Sequence, residues 1–280
     1  MKRIVCDIGG TKTRIAKGDK DGFDTPIVYD TPTNYTEALT ALDTTFKMLG
    51  TTDVDSIVIG VPGVLFENKD SLYSAPNLPL WVSQPLRADI QKISGISHVR
   101  LQNDTALVGL GEAIAGAGRG YDIVAYLTVS TGVGGVRIVN KTIDVAHYGF
   151  EPGHHIIDVD GTADPKAFLA SHTGVGHLDT FVSGKSMQEK YNTEPKLITE
   201  IAVWDSYAKA LSIGVYNTLT FWSPDIVVLG GSMMVGNPAI PLDALGRYMA
   251  DIQYTYPTTP DLVLAELADF GGLHGGFALE

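Results

Sequence analysis

The stretch Asp7-Ile8-Gly9-Gly10-Thr11-Lys12-Thr13-Arg14 lies between two short apolar runs, Ile4 to Cys6 and Ile15 to Ala16. It reads as a strand, a glycine turn and a second strand. Two adjacent glycines let the backbone fold tightly and bring its N–H groups close to a bulky anion, which a side chain at either position would obstruct. The turn at Gly9 and Gly10 can therefore cradle phosphate. Asp7 closes the first strand, where a carboxylate can hold a hydrated Mg²⁺, an ion that keeps its waters and takes few protein oxygens. Thr11 and Lys12 add a hydroxyl and a cation. Taken alone, the octapeptide reads equally well as an ordinary hairpin turn with a solvated Asp.

A second copy, Val129-Ser130-Thr131-Gly132-Val133-Gly134-Gly135-Val136-Arg137-Ile138-Val139, favours the phosphate reading. Placed beneath the first, Gly9 falls on Gly132, and Thr13 to Ala16 falls on Val136 to Val139. Two such units, one opening each half of the chain, suggest two related domains facing a cleft that a nucleotide could bridge.

The 280 residues are 44 % hydrophobic and 19 % charged, enough for two globular domains with separate cores. A net charge of −12 opposes nucleic-acid and anionic-membrane partners, so an anionic ligand must be met by local donors. Cys6 is the single cysteine, which excludes an intrachain disulfide and a cysteine-rich metal cluster and fits a reducing cytoplasm. Asp7 and two glycines follow so soon after Met1-Lys2-Arg3 that no signal-peptide core is expected, and no uninterrupted apolar run is long enough to span a membrane.

Strands and helices then alternate. A strand near Pro26 to Tyr29 precedes Asn34-Tyr35-Thr36-Glu37, which has capping-box spacing, and Leu39, Leu42, Phe46 and Leu49 recur at helical intervals. Asp55 to Val61 reads as a buried strand turned by Pro62-Gly63, Pro85 to Ile93 as a helix, His98 to Gln102 as a strand ending at Asn103-Asp104, and Thr105 to Ala117 as a packed helix. Gly116 to Gly120 marks the expected boundary, giving domains 1–118 and 119–280, with the closing helix 271–280 a candidate to pack back on the first. In the second half, Ile123 to Val129 and Gly135 to Val139 read as the repeated hairpin, and Glu151 to Asp179 as a polar binding loop. Trp204 to Phe221 is a long helix, Pro224 to Ser232 a strand entering a glycine turn, Ile240 to Met249 a helix and Leu262 to Ala265 the last strand.

In order, the pieces DIGGTKTRIA, GVPG, APNLP, QND, TGVGG, EPGH, PDIVVLGGS and GGLHGG resemble the ROK family of repressors, uncharacterised frames and sugar kinases, within the actin-like superfamily. The resemblance spans nearly the whole chain. It implies an α/β fold of two actin-like, ribonuclease-H-like domains around a central nucleotide and sugar cleft, with ATP between two phosphate hairpins and an adenosine loop and a hexose deeper in. The phosphate-side positions are Asp7, Gly9, Gly10, Thr11, Lys12, Thr131, Gly132 and Gly134, and Gly230 and Gly231 stand beside the adenosine.

Asp104, at the end of a strand, can accept the proton of an attacking sugar hydroxyl, and the resemblance puts it at the base position. Asn103 would bond a neighbouring hydroxyl, although Asn-Asp before a helix is also an ordinary cap. Gly63, Glu151 and His154 fall on the hexose side. Asp179 replaces the family's usual Glu, one methylene shorter, so the recognised hydroxyl pattern can differ from that of a glucose kinase. Many relatives bind zinc after EPGH through a histidine and three cysteines; this chain has no cysteine there, so no cysteine zinc site is expected. A site from His154, His172, His177 and a carboxylate stays chemically open. Ser130 replaces a glycine at the head of the second hairpin.

The expectation is a cytoplasmic, homodimeric, ATP- and Mg²⁺-dependent hexose kinase that phosphorylates a small-molecule sugar, at the 6-hydroxyl of glucose or a related hexose or N-acetylhexosamine. The alternative is a sugar-sensing transcription regulator of the same family lacking its DNA-binding domain. An actin-like ATPase without a sugar substrate is disfavoured by EPGH and QND.

Overall fold

The computed structural model describes residues 1–162 and 175–279, and in it the opening octapeptide is a hairpin. β1 (Arg3–Ile8) and β2 (Lys12–Asp19) pair antiparallel with Ile8 opposite Thr13, and the Gly9 amide donates to the Lys12 carbonyl at 2.9 Å. β3 (Gly22–Phe23) and β4 (Ile27–Asp30) both pair with β2. On the other side of β1, β5 (Ser56–Val61) runs parallel to it, β6 (Val64–Leu65) and β7 (Leu72–Ser74) form a separate ribbon, and β8 (Val99–Asn103) joins β5 in parallel. The sheet order is β3-β2-β1-β5-β8.

Strand alternation divides this sheet's side chains between two layers. Ile4, Cys6, Ile8, Ile57 and Ile59 enter one core with Leu42 and Phe46 of α1 (Tyr35–Leu49) and with Leu86 and Ile90 of α2 (Leu86–Ser94). The capping reading holds at α1, where the Asn34 side chain accepts from the Thr36 and Glu37 amides at 2.9 and 3.2 Å. Val5 and Asp7 belong to the opposite layer, which holds α3 (Asp104–Ile114) and the C-terminal helix Gly271–Ala278.

That second layer is packed by backbone. A Cβ on Gly275 would lie 1.8 Å from the Leu107 carbonyl oxygen, and one on Gly111 2.2 Å from that of Gly271, so α3 and the C-terminal helix cross with no side chain between them. Four residues apart on the same helix, Gly272 and Gly276 meet β1: their Cβ atoms would fall 2.5 Å from Asp7 Cγ and 2.3 Å from Val5 Cγ1. Each glycine of the GGLHGG motif thus marks a place where a chain presses on the helix.

In the second half, β9 (Ile123–Val129), β10 (Val133–Val139) and β11 (Thr142–Ile143) are antiparallel neighbours. A small ribbon follows, formed by β12 (Ile156–Asp158) and β13 (Gly176–His177), then β14 (Ile226–Gly230) and β15 (Asp261–Leu264), both parallel to β9. The order β11-β10-β9-β14-β15 and its strand directions repeat the first sheet. The helices are α4 (Leu178–Val182), α5 (Gly184–Tyr191), α6 (Ile201–Trp222), α7 (Ser232–Val235) and α8 (Leu242–Ile252). Ala208, Leu211, Val215 and Leu219 of α6 are buried against Leu127, Val227 and Leu229, as their spacing predicts. Two compact units result: Met1–Ala115 with Val145–Gly149 and the chain from Asp269 on, and Gly116–Asp144 with Phe150–Ala268. Among the described residues, no helix is long and apolar enough to cross a membrane.

Three sequence readings change. The second turn is one residue shorter than the first: Val129 pairs with Val133 and the Ser130 amide donates to the Gly132 carbonyl, so Gly9 corresponds to Ser130 and not to Gly132. Val133 and Gly134 consequently lie within β10, which the sequence reading began only at Gly135. Within the segment 151–179, the described residues form a 3₁₀ turn, a ribbon and the start of α4, so Asp179 sits in a helix; residues 163–174, His172 included, lie outside the described residues.

Substituting Gly275 with Ala should force the two helices apart and cost about 1–3 kcal/mol or more, the usual scale of overpacking. Gly246→Ala within α8, where a Cβ meets nothing within 4 Å, should instead stabilise by about 0.4–1 kcal/mol. Urea midpoints of the two variants, moving in opposite directions, check the packing.

Candidate active site

In the first unit the candidate groups collect at the carboxyl ends of the parallel strands, where open α/β sheets bind ligands. Asp7 lies opposite Gly60 of β5, and Gly60 opposite Gln102 of β8. A Cβ on Gly60 would lie 3.4 Å from Asp104 Cα and 3.6 Å from Asp7 Oδ1, so this glycine leaves room for two carboxyls on either side of it. Gly60 opens the GVPG piece, but its place beside Asp7 and Asp104 was not legible from that motif.

Asp7 is 7 % exposed. Burial, reinforced by the nearby charge of Asp104, lifts its carboxyl from 3.8 to about 7, while Arg14 pulls the other way. Arg14 stands opposite Asp7 in the hairpin register and pairs with Asp269 at 2.7 Å. Asp104 opens α3. Burial raises its carboxyl to about 6, although the Thr105 amide, donating at 2.7 Å, stabilises the charged form. Two neighbouring carboxyls that both resist ionisation define a place where a divalent cation is electrostatically welcome, so the residues fit a hydrated Mg²⁺.

Asn103 serves the cap that its sequence context allowed: Oδ1 accepts from the Ala106 amide at 3.0 Å, and Nδ2 donates to the Gly63 carbonyl at 3.0 Å. The second Nδ2 hydrogen is left over by these two bonds. Gly63 adopts φ +98°, and a Cβ there would strike the Ser74 carbonyl at 2.1 Å, so only glycine closes this turn. The first glycine turn is braced by Thr31, whose amide donates to the Thr11 carbonyl at 2.9 Å and whose hydroxyl donates to that of Gly9 at 2.8 Å. Gly10 packs on the APNLP loop, its Cβ position lying 2.8 Å from Asn77 Cβ. Thr11 and Lys12 are exposed, and Lys12 Nζ pairs with Asp30 at 2.6 Å.

In the second unit the structure brings His154, His177, Asp179 and Gly132 together. The 3₁₀ turn Pro152–His154 follows exposed Glu151 and lies against β10 because Gly135 and Gly153 both lack side chains: their Cβ atoms would meet Pro152 Cγ at 2.8 Å and the Val133 carbonyl at 2.2 Å. The His154 and His177 rings are 5.5 Å apart, edge to face, with His177 Nδ1 at 3.1 Å from the His154 carbonyl oxygen. Asp179, half-buried in the first turn of α4, has its Oδ2 3.5 Å from the Cβ position of Gly132. Burial raises its carboxyl, and His154, Lys185 and His177 oppose the rise. Among the described residues, no group of three or more His, Cys, Asp or Glu is arranged to hold a metal, and Cys6 is buried in β1.

Thr131 is exposed at the tip of the second turn, and Gly134 faces Thr128 across the hairpin. Gly230 ends β14 against Tyr126, where a Cβ would lie 2.4 Å from the phenol oxygen; Gly231, at φ +85°, turns the chain into α7.

Two sheets of one topology, each with a glycine-turn hairpin on its central strand, define the actin-like fold of sugar kinases and their relatives. The ROK hexokinase from Thermus thermophilus superposes with a TM-score of 0.79 at 24 % identity, covering 100 % of this chain and 98 % of that one. A ROK family glucokinase from Streptomyces griseus in complex with glucose and AMPPNP superposes at 0.75 with 20 % identity, covering 99 % and 98 %. An N-acetyl-D-glucosamine kinase from Escherichia coli is 30 % identical over 298 residues, 96 % of each chain. The sequence matches the ROK family profile over residues 3–280, and the chain belongs to the ROK family.

Ionising Asp7 in the folded chain costs stability that the unfolded chain does not lose, so that cost grows as pH rises from about 4 to about 7 and is constant above. Asp7→Asn should therefore melt higher than the wild type at pH 8, with the gap closing toward pH 4. Melting temperatures across that range in metal-free buffer check the sign.

Proposed function

We propose that this ROK chain is an ATP-dependent sugar kinase that transfers the γ-phosphoryl group of ATP to the 6-hydroxyl of a hexose or N-acetylhexosamine. The observation that carries the reading is Asp104: a carboxyl at the sheet's carboxyl edge, raised by burial to about 6, is charged at neutral pH yet basic enough to take a proton from a hydroxyl. ATP use is supported by the glucokinase relative solved with AMPPNP, and an amino-sugar or glucose-like acceptor by the names of the relatives.

In this reading Asp104 holds the proton of the attacking hydroxyl, and Asn103, fixed by its cap and its bond to Gly63, orients the hydroxyl beside it. Glu151, His154 and Asp179 orient the remaining hydroxyls, with the His177 ring edge to face against that of His154. Gly9 to Lys12 and Thr131 to Gly134 receive the phosphates, while Gly230 and Gly231 border the adenosine. Asp7 would hold Mg²⁺ through water, and the ion, when bound, neutralises phosphate charge. The reading requires that both half-sites serve one sugar and one nucleotide.

Asp104→Asn keeps shape and hydrogen bonding but cannot accept the proton, so turnover should fall by about 10²–10⁴-fold while sugar affinity changes little. In a coupled assay over glucose, mannose, fructose and their N-acetylated amines, a variant with more than a tenth of wild-type activity would exclude Asp104 as base.

The wild-type pH profile follows from the same group. The active form is the ionised one, so kcat/KM should be flat above about pH 6 to 7 and fall toward tenfold per unit below it. A profile still flat at pH 5 would contradict a base titrating near 6.

A further inference from the structure

The first two amides of α5 donate into the second phosphate turn, Gly184 to the Ser130 carbonyl at 2.6 Å and Lys185 to that of Thr131 at 3.2 Å. The approach is close, since a Cβ on Gly184 would lie 3.0 Å from the Ser130 carbonyl oxygen and 3.4 Å from Met233 Sδ. These bonds occupy two of the amides that a helix start otherwise offers to an anion. What α5 adds at the turn is therefore the side chain of Lys185. Its side chain is 69 % exposed, and its ammonium lies 4.0 Å from Glu189, the outer limit of an ion pair, one helical turn along. Other cations on the hairpin strands are tied more tightly: Lys12 to Asp30 at 2.6 Å and Arg137 to Asp144 at 2.5 Å. The charge of Lys185 also reaches Asp179, which borders Gly132 of the same turn.

A chain of net charge −12 repels a nucleoside triphosphate at long range, so the turn that receives the phosphates needs a cation of its own. We propose that Lys185 is that cation and contacts the terminal phosphate of the bound nucleotide, an assignment that rests on the kinase reading above. Its backbone is fixed to the turn, while its four-carbon stem is free to swing from Glu189 to an arriving phosphate.

Calorimetric titration of the whole protein with AMPPNP and with ADP, each in Mg²⁺ buffer, tests it. Lys185→Met keeps the stem and removes the charge. It should weaken AMPPNP roughly tenfold to a hundredfold, the worth of one charge-assisted hydrogen bond. ADP, which lacks the terminal phosphate, should weaken less than about threefold, and Lys185→Arg should stay near wild type for both. The exposed side chain should leave the melting temperature of Lys185→Met unchanged, which separates lost contact from lost fold. AMPPNP affinity within twofold of wild type, or an equal loss for ADP, overturns the assignment. Wild-type protein that binds neither nucleotide removes the kinase reading and this assignment together, whereas normal wild-type binding with an unresponsive Lys185→Met removes the assignment alone.

Discussion

The first unit depends on one contact to which the C-terminal helix brings only glycines, its seating on β1 and α3. Gly271 and Gly275 admit α3, and Gly272 and Gly276 admit β1, because the pairs lie on adjacent stripes of one helix. No larger residue fits at Gly272 or Gly275, and the carboxyl of Asp7 is pressed against the first turn of the helix at Gly272. The burial of Asp7, and with it the raised carboxyl pair at the strand ends, is thus a product of helix packing. An acidic site of this kind costs the folded state free energy, and the extensive apolar layer on the sheet's other face, from Ile4 to Leu101, offsets it.

The two sheets share a topology but use the same positions differently. Gly60 faces Asp7 in the first, and Gly230 faces Thr128 in the second. Both sheets keep a glycine beside the central strand's end, but only the first sets a carboxyl there. The 3₁₀ turn Pro152–His154, the ribbon β12–β13 and α4 follow the second hairpin and carry His154, His177 and Asp179, so the second unit supplies these polar groups from outside its five-stranded sheet.

Much of this was legible in the sequence, because glycine pairs, caps and alternating strands have local causes. DIGGTK, the Asn34 cap and the β-branched run before Pro62 were each readable within a few residues. The offset between the hairpins was not, since a turn shortened by one residue leaves the glycine pattern similar while moving Gly134 into a strand. Asp179 read as loop because α4 has five residues and no side-chain cap. The contacts of Gly60, Thr31 and Lys185 were invisible for another reason: each is made with a partner more than twenty residues away, at Asp104, Gly9 and Thr131, and no local pattern records such a meeting.

The route of the chain has a consequence for its biosynthesis. Residues 1–115 leave the ribosome ahead of the other unit, but the helix that covers their second layer is separated from them by about 150 residues of that unit. At ordinary elongation rates that interval lasts roughly 10–30 s. During it the face of β1 bearing Val5 and Asp7, together with the glycine stripe of α3, waits uncovered beside the exit tunnel, and the layer closes only after the helix Gly271–Ala278 has emerged.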